Sequence, residues 1–162
     1  MNEQFGVISM KTIFIYIFIS LSLLKADIVD ITADYFHADD ITKTAYFEGN
    51  AHIKQGSNEF SSSKIIVHFN KKKRATKYEA LGNVEFDLIE NGIHYVGSAQ
   101  KIAYSPNDSK YYFFGDVILK DLTNNRKISA QEISLDLKTG LADIKGAEKK
   151  PVHFIFEIED RK

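Results

Sequence analysis

The residues best able to do chemistry in this 162-residue chain are five histidines, a serine triplet, a set of glutamates and one run of cations. His37, His52, His68, His94 and His153 fall on separate segments, and no two stand at a metal-ligand spacing. His37-Ala38-Asp39-Asp40 brings an imidazole near two carboxylates, but its place before Ile41-Thr42 reads as a turn between the first two strands. Ser61-Ser62-Ser63 lacks the neighbouring base or glycine elbow that activates a hydroxyl. Glu48, Glu79 and Glu85 could serve glycoside hydrolysis only if two converged in a cleft, whereas alternation spreads them along one water-facing side. No glycine-rich phosphate loop occurs. The sequence therefore nominates no catalytic residue, no metal and no cofactor. Lys71-Lys72-Lys73-Arg74 keeps two readings: a solvated turn that discourages edge pairing, or a dock for lipid phosphates or a membrane surface.

Composition narrows the class further. With 44% hydrophobic and 27% charged residues the chain suits one globular domain. Its formal net charge is −1; setting aside residues 1–26, which hold Lys11, Lys25 and Glu3, leaves 19 basic and 21 acidic residues, a net of −2. Nucleic acid is thereby excluded as the main partner, because phosphate backbones call for a basic surface. Cysteine is absent, which rules out disulfides and thiolate chemistry and leaves the compartment to be read from the N-terminus. There, Met10-Lys11 precedes an uncharged apolar run, Ile13 to Leu24, that ends in Lys25-Ala26-Asp27. A basic start, a short apolar core and a small exit residue predict a signal peptide over 1–26, with the true start at Met10 and cleavage after Ala26. The run is shorter than the roughly 20 residues of a spanning helix. Retention as an anchor is the other reading, since Leu24 is a poor residue two before the cleavage site.

From residue 27 to 162 the pattern is all β: period-two alternation is nearly continuous, and no helical periodicity persists. Gly49, Gly82 and Gly115 recur at intervals of 33 residues, each inside a strand and each followed by Asn or Asp. On their strands one face carries Ala45/Tyr78/Tyr111, Phe47/Ala80/Phe113, Ala51/Val84/Val117 and Ile53/Phe86/Leu119. The other face carries Glu48, Asn50, His52, Lys77, Glu79, Asn83, Glu85, Asp116 and Lys120, and is expected to meet water. A second strand type follows each glycine strand, with Ile65/Ile102/Ile133 and Val67/Tyr104/Leu135 facing inward. The repeating unit is a hairpin of two long strands stacked about three times, with a partial fourth glycine strand near Ala142, Ile144 and Gly146. A glycine inside a strand marks a bend or close approach, so the three aligned glycines predict corners that fold long strands into a jelly-roll-like, flattened solenoid. Large inner residues (Phe47, Phe69, Phe86, Tyr104, Phe113) interleaved with Ala45, Ala51 and Ala80 fit either a filled core or a groove for acyl chains.

The glycine strands, the Lys54-Gln55-Gly56 turn and the stretch Gly97 to Tyr104 ("GSAQKIAY") resemble the LptA/OstA-like family of periplasmic lipopolysaccharide transport proteins, over about Val29 through Ala147. The resemblance implies an open-ended antiparallel β-jelly roll and a non-enzymatic periplasmic carrier that shields lipid A acyl chains and helps bridge the inner and outer membranes. It moves the interior reading toward the groove. "VDITAD", Val29 to Asp34, matches the family's first strand and implies lipid or partner contact for Val29 and Ile31. The lipid-contact set on this reading is Val29, Ile31, Phe36, Phe47, Ile65, Phe69, Phe86, Ile102, Tyr104, Phe113, Val117 and Leu119. Implied partners are lipopolysaccharide and the jelly-roll domains of inner- and outer-membrane transport components. Strands read at both ends, Ile28 to Phe36 and Val152 to Ile158, would leave free backbone edges for a head-to-tail homo-oligomer. Val152, Phe154, Phe156 and Ile158 would line that joint, unless the last strand folds back and caps its own groove. Two rivals stay open: an anchored, LptC-like component of the same system, and a carbohydrate-active solenoid enzyme.

Overall fold

Alternation becomes ten antiparallel strands and no helix in a computed structural model that describes residues 28–158. They are β1 (Val29–Thr32), β2 (Tyr35–Asp39), β3 (Thr44–Gln55), β4 (Asn58–Phe69), β5 (Ala75–Glu90), β6 (Ile93–Ser105), β7 (Lys110–Asp121), β8 (Arg126–Asp136), β9 (Ala142–Lys145) and β10 (His153–Phe156). One sheet takes them in the order β1-β3-β4-β5-β6-β7-β8-β10, with β2 also beside β3 and β9 also beside β8. The signal peptide expected over residues 1–26 lies outside the described residues.

Each long strand is bent at the same level. Register breaks at Glu48/Ala51, Leu81/Val84 and Phe114/Val117 on the glycine strands, and at Ser61/Lys64 and Ser98/Lys101 on the strands between them. At the corner, Gly82 and Asn83 take φ of +80° and +47° in succession, and the other two glycine pairs repeat this. Left-handed backbone is costly for L-residues other than Asn or Asp and free for Gly, so Gly-Asn and Gly-Asp are the pairs that turn this corner at least strain. The space over each glycine is filled by a neighbouring strand's side chain or its equivalent: Asp34 over Gly49, Ser63 over Gly82, Gln100 over Gly115.

Bending at mid-strand folds the sheet along a spine, so the two halves face each other across an apolar interior. Phe113, Ile65, Leu88, Val84 and Val117 are its most completely buried large side chains. Phe86 and Phe113 meet across the halves at 5.1 Å. The fold also brings the two rows of hairpin turns together as opposing lips. Asn91 Nδ2, in the β5–β6 turn, donates to the Leu137 carbonyl beyond β8 at 3.2 Å, and the Tyr111 hydroxyl of β7 donates to Glu90 of β5 at 3.3 Å.

Both sheet edges are interrupted strands. β1 and β2 pair with the second and first halves of β3, and they part at Ala33-Asp34, opposite the Gly49 corner. At the other edge β9 and β10 pair with the two halves of β8. The expected fourth glycine strand is therefore cut short: β9 has four residues, Gly146 lacks the left-handed φ of the other three corners, and the chain leaves the sheet before returning as β10. The expected opening strand is likewise two pieces, the second reaching Asp39, whose carboxylate accepts from the Ile41 and Thr42 amides to make the turn into β3.

One expected water-facing residue departs from the pattern. Glu79 points to the outer face but is only 8% exposed, covered by its partners Lys101 (2.6 Å), His68 (2.7 Å) and Lys77 (2.9 Å). Burial works against its charge, but the hydrogen bonds from Lys101, Lys77 and His68 together outweigh it and hold the pKa at about 2, against 4.5 in the unfolded chain. A depressed carboxylate pKa stabilises the fold above the unfolded value and loses that contribution as pH falls through the folded one. Because the surrounding cations are partly exposed, screening reduces the contribution to about 2 kcal/mol. Glu79→Gln should accordingly lower unfolding free energy at pH 7 by about that amount. Urea titrations should find the gap closing between pH 4.5 and about 2; a gap independent of pH would show that the charge is not what stabilises.

Candidate lipid-binding interior

The interior has three regions, set by where strands end. In the middle, β3 and β4 at one lip face β5, β6 and β7 at the other. Ile53, Phe60, Ile65, Ala80 and Ile102 line a cavity there together with Tyr78, Tyr104 and Tyr111. The three tyrosines are cross-strand partners in one row: Tyr78 and Tyr104 stack at 6.4 Å, Tyr104 and Tyr111 at 4.4 Å, and Phe60 lies 6.1 Å from Tyr111 across the lips. Burial, then the nearby Glu90 carboxylate, pushes the Tyr111 phenol well above the ordinary tyrosine range, so it remains a donor to Glu90. Asn58 Nδ2 donates to the same Glu90 oxygen at 2.7 Å. The rim is thus polar and latched, while the space beneath it is apolar. Free volume there is 40 Å³, room for about two or three waters, so this part of the interior is closed by its own side chains.

At the C-terminal edge the interior is wider. Leu119, Ile128, Ile133, Leu135, Ile144 and Phe154 line 260 Å³ of open space between the β9 and β10 halves. Phe154 stands directly opposite Ile128 in the ladder, and Phe156 opposite Arg126, which puts both on the inward register. Asp121, also inward, is buried at this mouth and held by Arg126 and Asn124. At the N-terminal edge Ile31 pairs with Ile53 and Phe36 with Phe47, whose rings are 5.0 Å apart.

The residues predicted from sequence fall into these regions unevenly. Ile65, Ile102 and Tyr104 line the central cavity, and Leu119 the C-terminal mouth. Phe86, Phe113 and Val117 are packed core, at 4%, 0% and 1% exposure. Val29 and Ile31 are half-buried, and Phe47 and Phe69 are partly buried against the core. Phe36 is 56% exposed at the N-terminal mouth. Of the four edge residues, Phe154 and Phe156 belong to β10, Val152 and Ile158 flank it, and all four are exposed. Tyr78, Tyr111, Phe60 and Ile128 line the interior without having been selected as contacts.

Among the described residues the histidines are dispersed. His68 meets Glu79, His94 meets Asp87 at 2.7 Å, His52 meets Ser61 at 3.0 Å, and His37 stacks on Tyr46 at 4.5 Å. No described helix is long and apolar enough to cross a membrane.

Comparison with known proteins bears on this arrangement. No curated protein sequence matches the chain. The fold is similar to that of a solved structure, LptH, the LptA-homologous periplasmic component of the lipopolysaccharide transport device of Pseudomonas aeruginosa. The TM-score is 0.71 at 11% sequence identity, covering 82% of this chain and 96% of that one, so the likeness is one of fold: an open antiparallel jelly roll. The family described as LptA/(LptD N-terminal domain) LPS transport protein matches residues 30–141, which contain every corner glycine and both lips. The chain belongs to that family of lipopolysaccharide transport proteins.

Proposed function

We propose that this protein is a non-enzymatic periplasmic carrier that holds the acyl chains of lipopolysaccharide between the two halves of its folded sheet. The observation that carries the reading is an apolar interior with a free mouth at each sheet edge and hydrogen-bonded lips along its length. An acyl chain gains about 0.8 kcal/mol per buried methylene, which suits an interior without polar readout. A sugar headgroup cannot follow the chains into such a space without losing its hydration. It must project between the lips, so loading parts the Asn91–Leu137 and Tyr111–Glu90 contacts and replaces packed side chains with lipid. The predicted contact set, from Val29 and Ile31 through Phe86 and Phe113 to Leu119, takes this role in the loaded state. Photochemical capture of lipid from Phe86 and Phe113 tests it.

Assembly follows from the edges. β1 and β10 each leave one side of their backbone unpaired, and both carry apolar residues on the inward register, so the last strand of one molecule can add to the first strand of the next. The two surfaces differ, and such a head-to-tail contact extends without closing. It would join the interiors of successive copies, or of related domains at either membrane, into one apolar path. Truncation after Lys150 removes β10 and should leave a folded protein whose concentration-dependent association, by light scattering, is much weaker. Undiminished association would place the contact elsewhere.

A further inference from the structure

Lys71-Lys72-Lys73-Arg74 form the turn between β4 and β5, and nothing in the fold requires four cations there. Asn70 builds the turn: its side-chain oxygen accepts from the Lys72 and Arg74 amides at 2.9 and 3.1 Å, and its backbone amide and carbonyl bond Arg74 and Lys73. Lys73 has φ +59°, a conformation that Gly or Asn adopts with less strain. Protection of a sheet edge does not explain the run either, because β4 and β5 are central strands paired on both sides. All four residues are exposed, and among the described residues none makes a salt bridge, whereas Lys43, Lys54, Lys64, Lys77, Lys101 and Lys110 each have an acidic partner. The chain from residue 27 has a net charge of −2, so this is a local concentration of positive charge on a mildly acidic protein.

Its place gives it meaning. The turn joins Phe69 to Ala75, and both pack against the apolar core, so the cations stand on the lip directly above the interior. An apolar slot with a cationic rim complements an amphiphile whose acyl chains enter the slot and whose phosphate stays at the surface. We propose that Lys71–Arg74 bind a phosphate of the acylated glycolipid whose chains occupy the interior. This rests on the carrier reading and adds the group that sets the depth and orientation of the ligand. Exposed guanidinium and ammonium groups make charge-assisted hydrogen bonds to phosphate, and those bonds weaken with salt.

The test compares diphosphoryl lipid A with the same lipid A after removal of its phosphates, titrated into the full chain and into a variant carrying Lys71→Gln, Lys72→Gln, Lys73→Gln and Arg74→Gln. The unaltered chain should bind the phosphorylated lipid about tenfold more tightly, a preference that shrinks in high salt. The variant should lose the preference while binding dephosphorylated lipid A as before, and its melting temperature controls for folding. A preference retained in the variant, or absent from the unaltered chain, overturns the proposal. Failure of the unaltered chain to bind dephosphorylated lipid A would instead count against the carrier reading. Sedimentation with phosphatidylglycerol vesicles separates the membrane alternative: vesicle binding abolished by the substitutions, with lipid A preference intact, also overturns the proposal.

Discussion

Cysteines placed at Asn91 and Lys138 and joined by a short bis-maleimide should lower lipopolysaccharide binding at least about tenfold relative to the same variant left unjoined. Asn91 and Leu137 touch across the lips, and Lys138, next to Leu137, is exposed and open to the reagent. The natural sequence has no cysteine, so the two introduced thiols are the only ones that react. A ligand that binds only the parted form sees its affinity fall with the population of that form, and the bridge removes it. The unjoined variant controls for the substitutions themselves, which spare the Tyr111–Glu90 contact and every core side chain. A bridged protein with undiminished affinity would mean that lipid enters and sits without moving the lips.

Why the corners could be read from sequence and parts of the interior could not is a matter of register. On a glycine strand the corner takes two residues, Gly and Asn or Asp, where the following strand uses one. Two residues preserve period-two phase, so Ala45, Phe47, Ala51 and Ile53 all keep one parity and the inner face is legible from end to end. On the intervening strands the single residue shifts the phase: β4 faces inward at Phe60 and then at Ile65, β6 at Tyr95 and then at Ile102, β8 at Ile128 and then at Ile133. Extending the alternation of Ile65/Ile102/Ile133 backward across the bend assigns Phe60, Tyr95 and Ile128 to the wrong side. The phase jump, detectable as inward apolar residues at odd separations around Ser63, Gln100 and Gln131 (Phe60/Ile65 and Ile128/Ile133 five apart, Tyr95/Ile102 seven apart), is the signal that would have found them.

Gly97 shows a second kind of information that alternation cannot hold. A Cβ there would lie 1.9 Å from the Ile118 carbonyl oxygen and 2.7 Å from the Phe86 ring, its cross-strand partner. The need for glycine arises from a contact between strands, not from any turn. Glu79 fails to read as buried for a similar reason, since its cover comes from β4 and β6 as well as its own strand. Closure of the lips also escapes local pattern: Asn91 and Leu137 are 46 residues apart and meet only because every intervening strand bends.

Acyl chains are expected to lie between the two halves of the sheet, against residues that form the packed core. Phe86 and Phe113 are the test positions, since they are almost fully buried, face each other from opposite halves at 5.1 Å, and sit on the same strands as outward Glu85 and Lys120. A photoreactive phenylalanine at each of the four positions keeps strand and depth nearly constant and changes only the side of the sheet. Irradiation with lipopolysaccharide should give lipid adducts at Phe86 and Phe113 at least about tenfold above those at Glu85 and Lys120, the contrast expected if binding removes the interior from water. Equal capture on both faces, or capture confined to Glu85 and Lys120, would contradict the account.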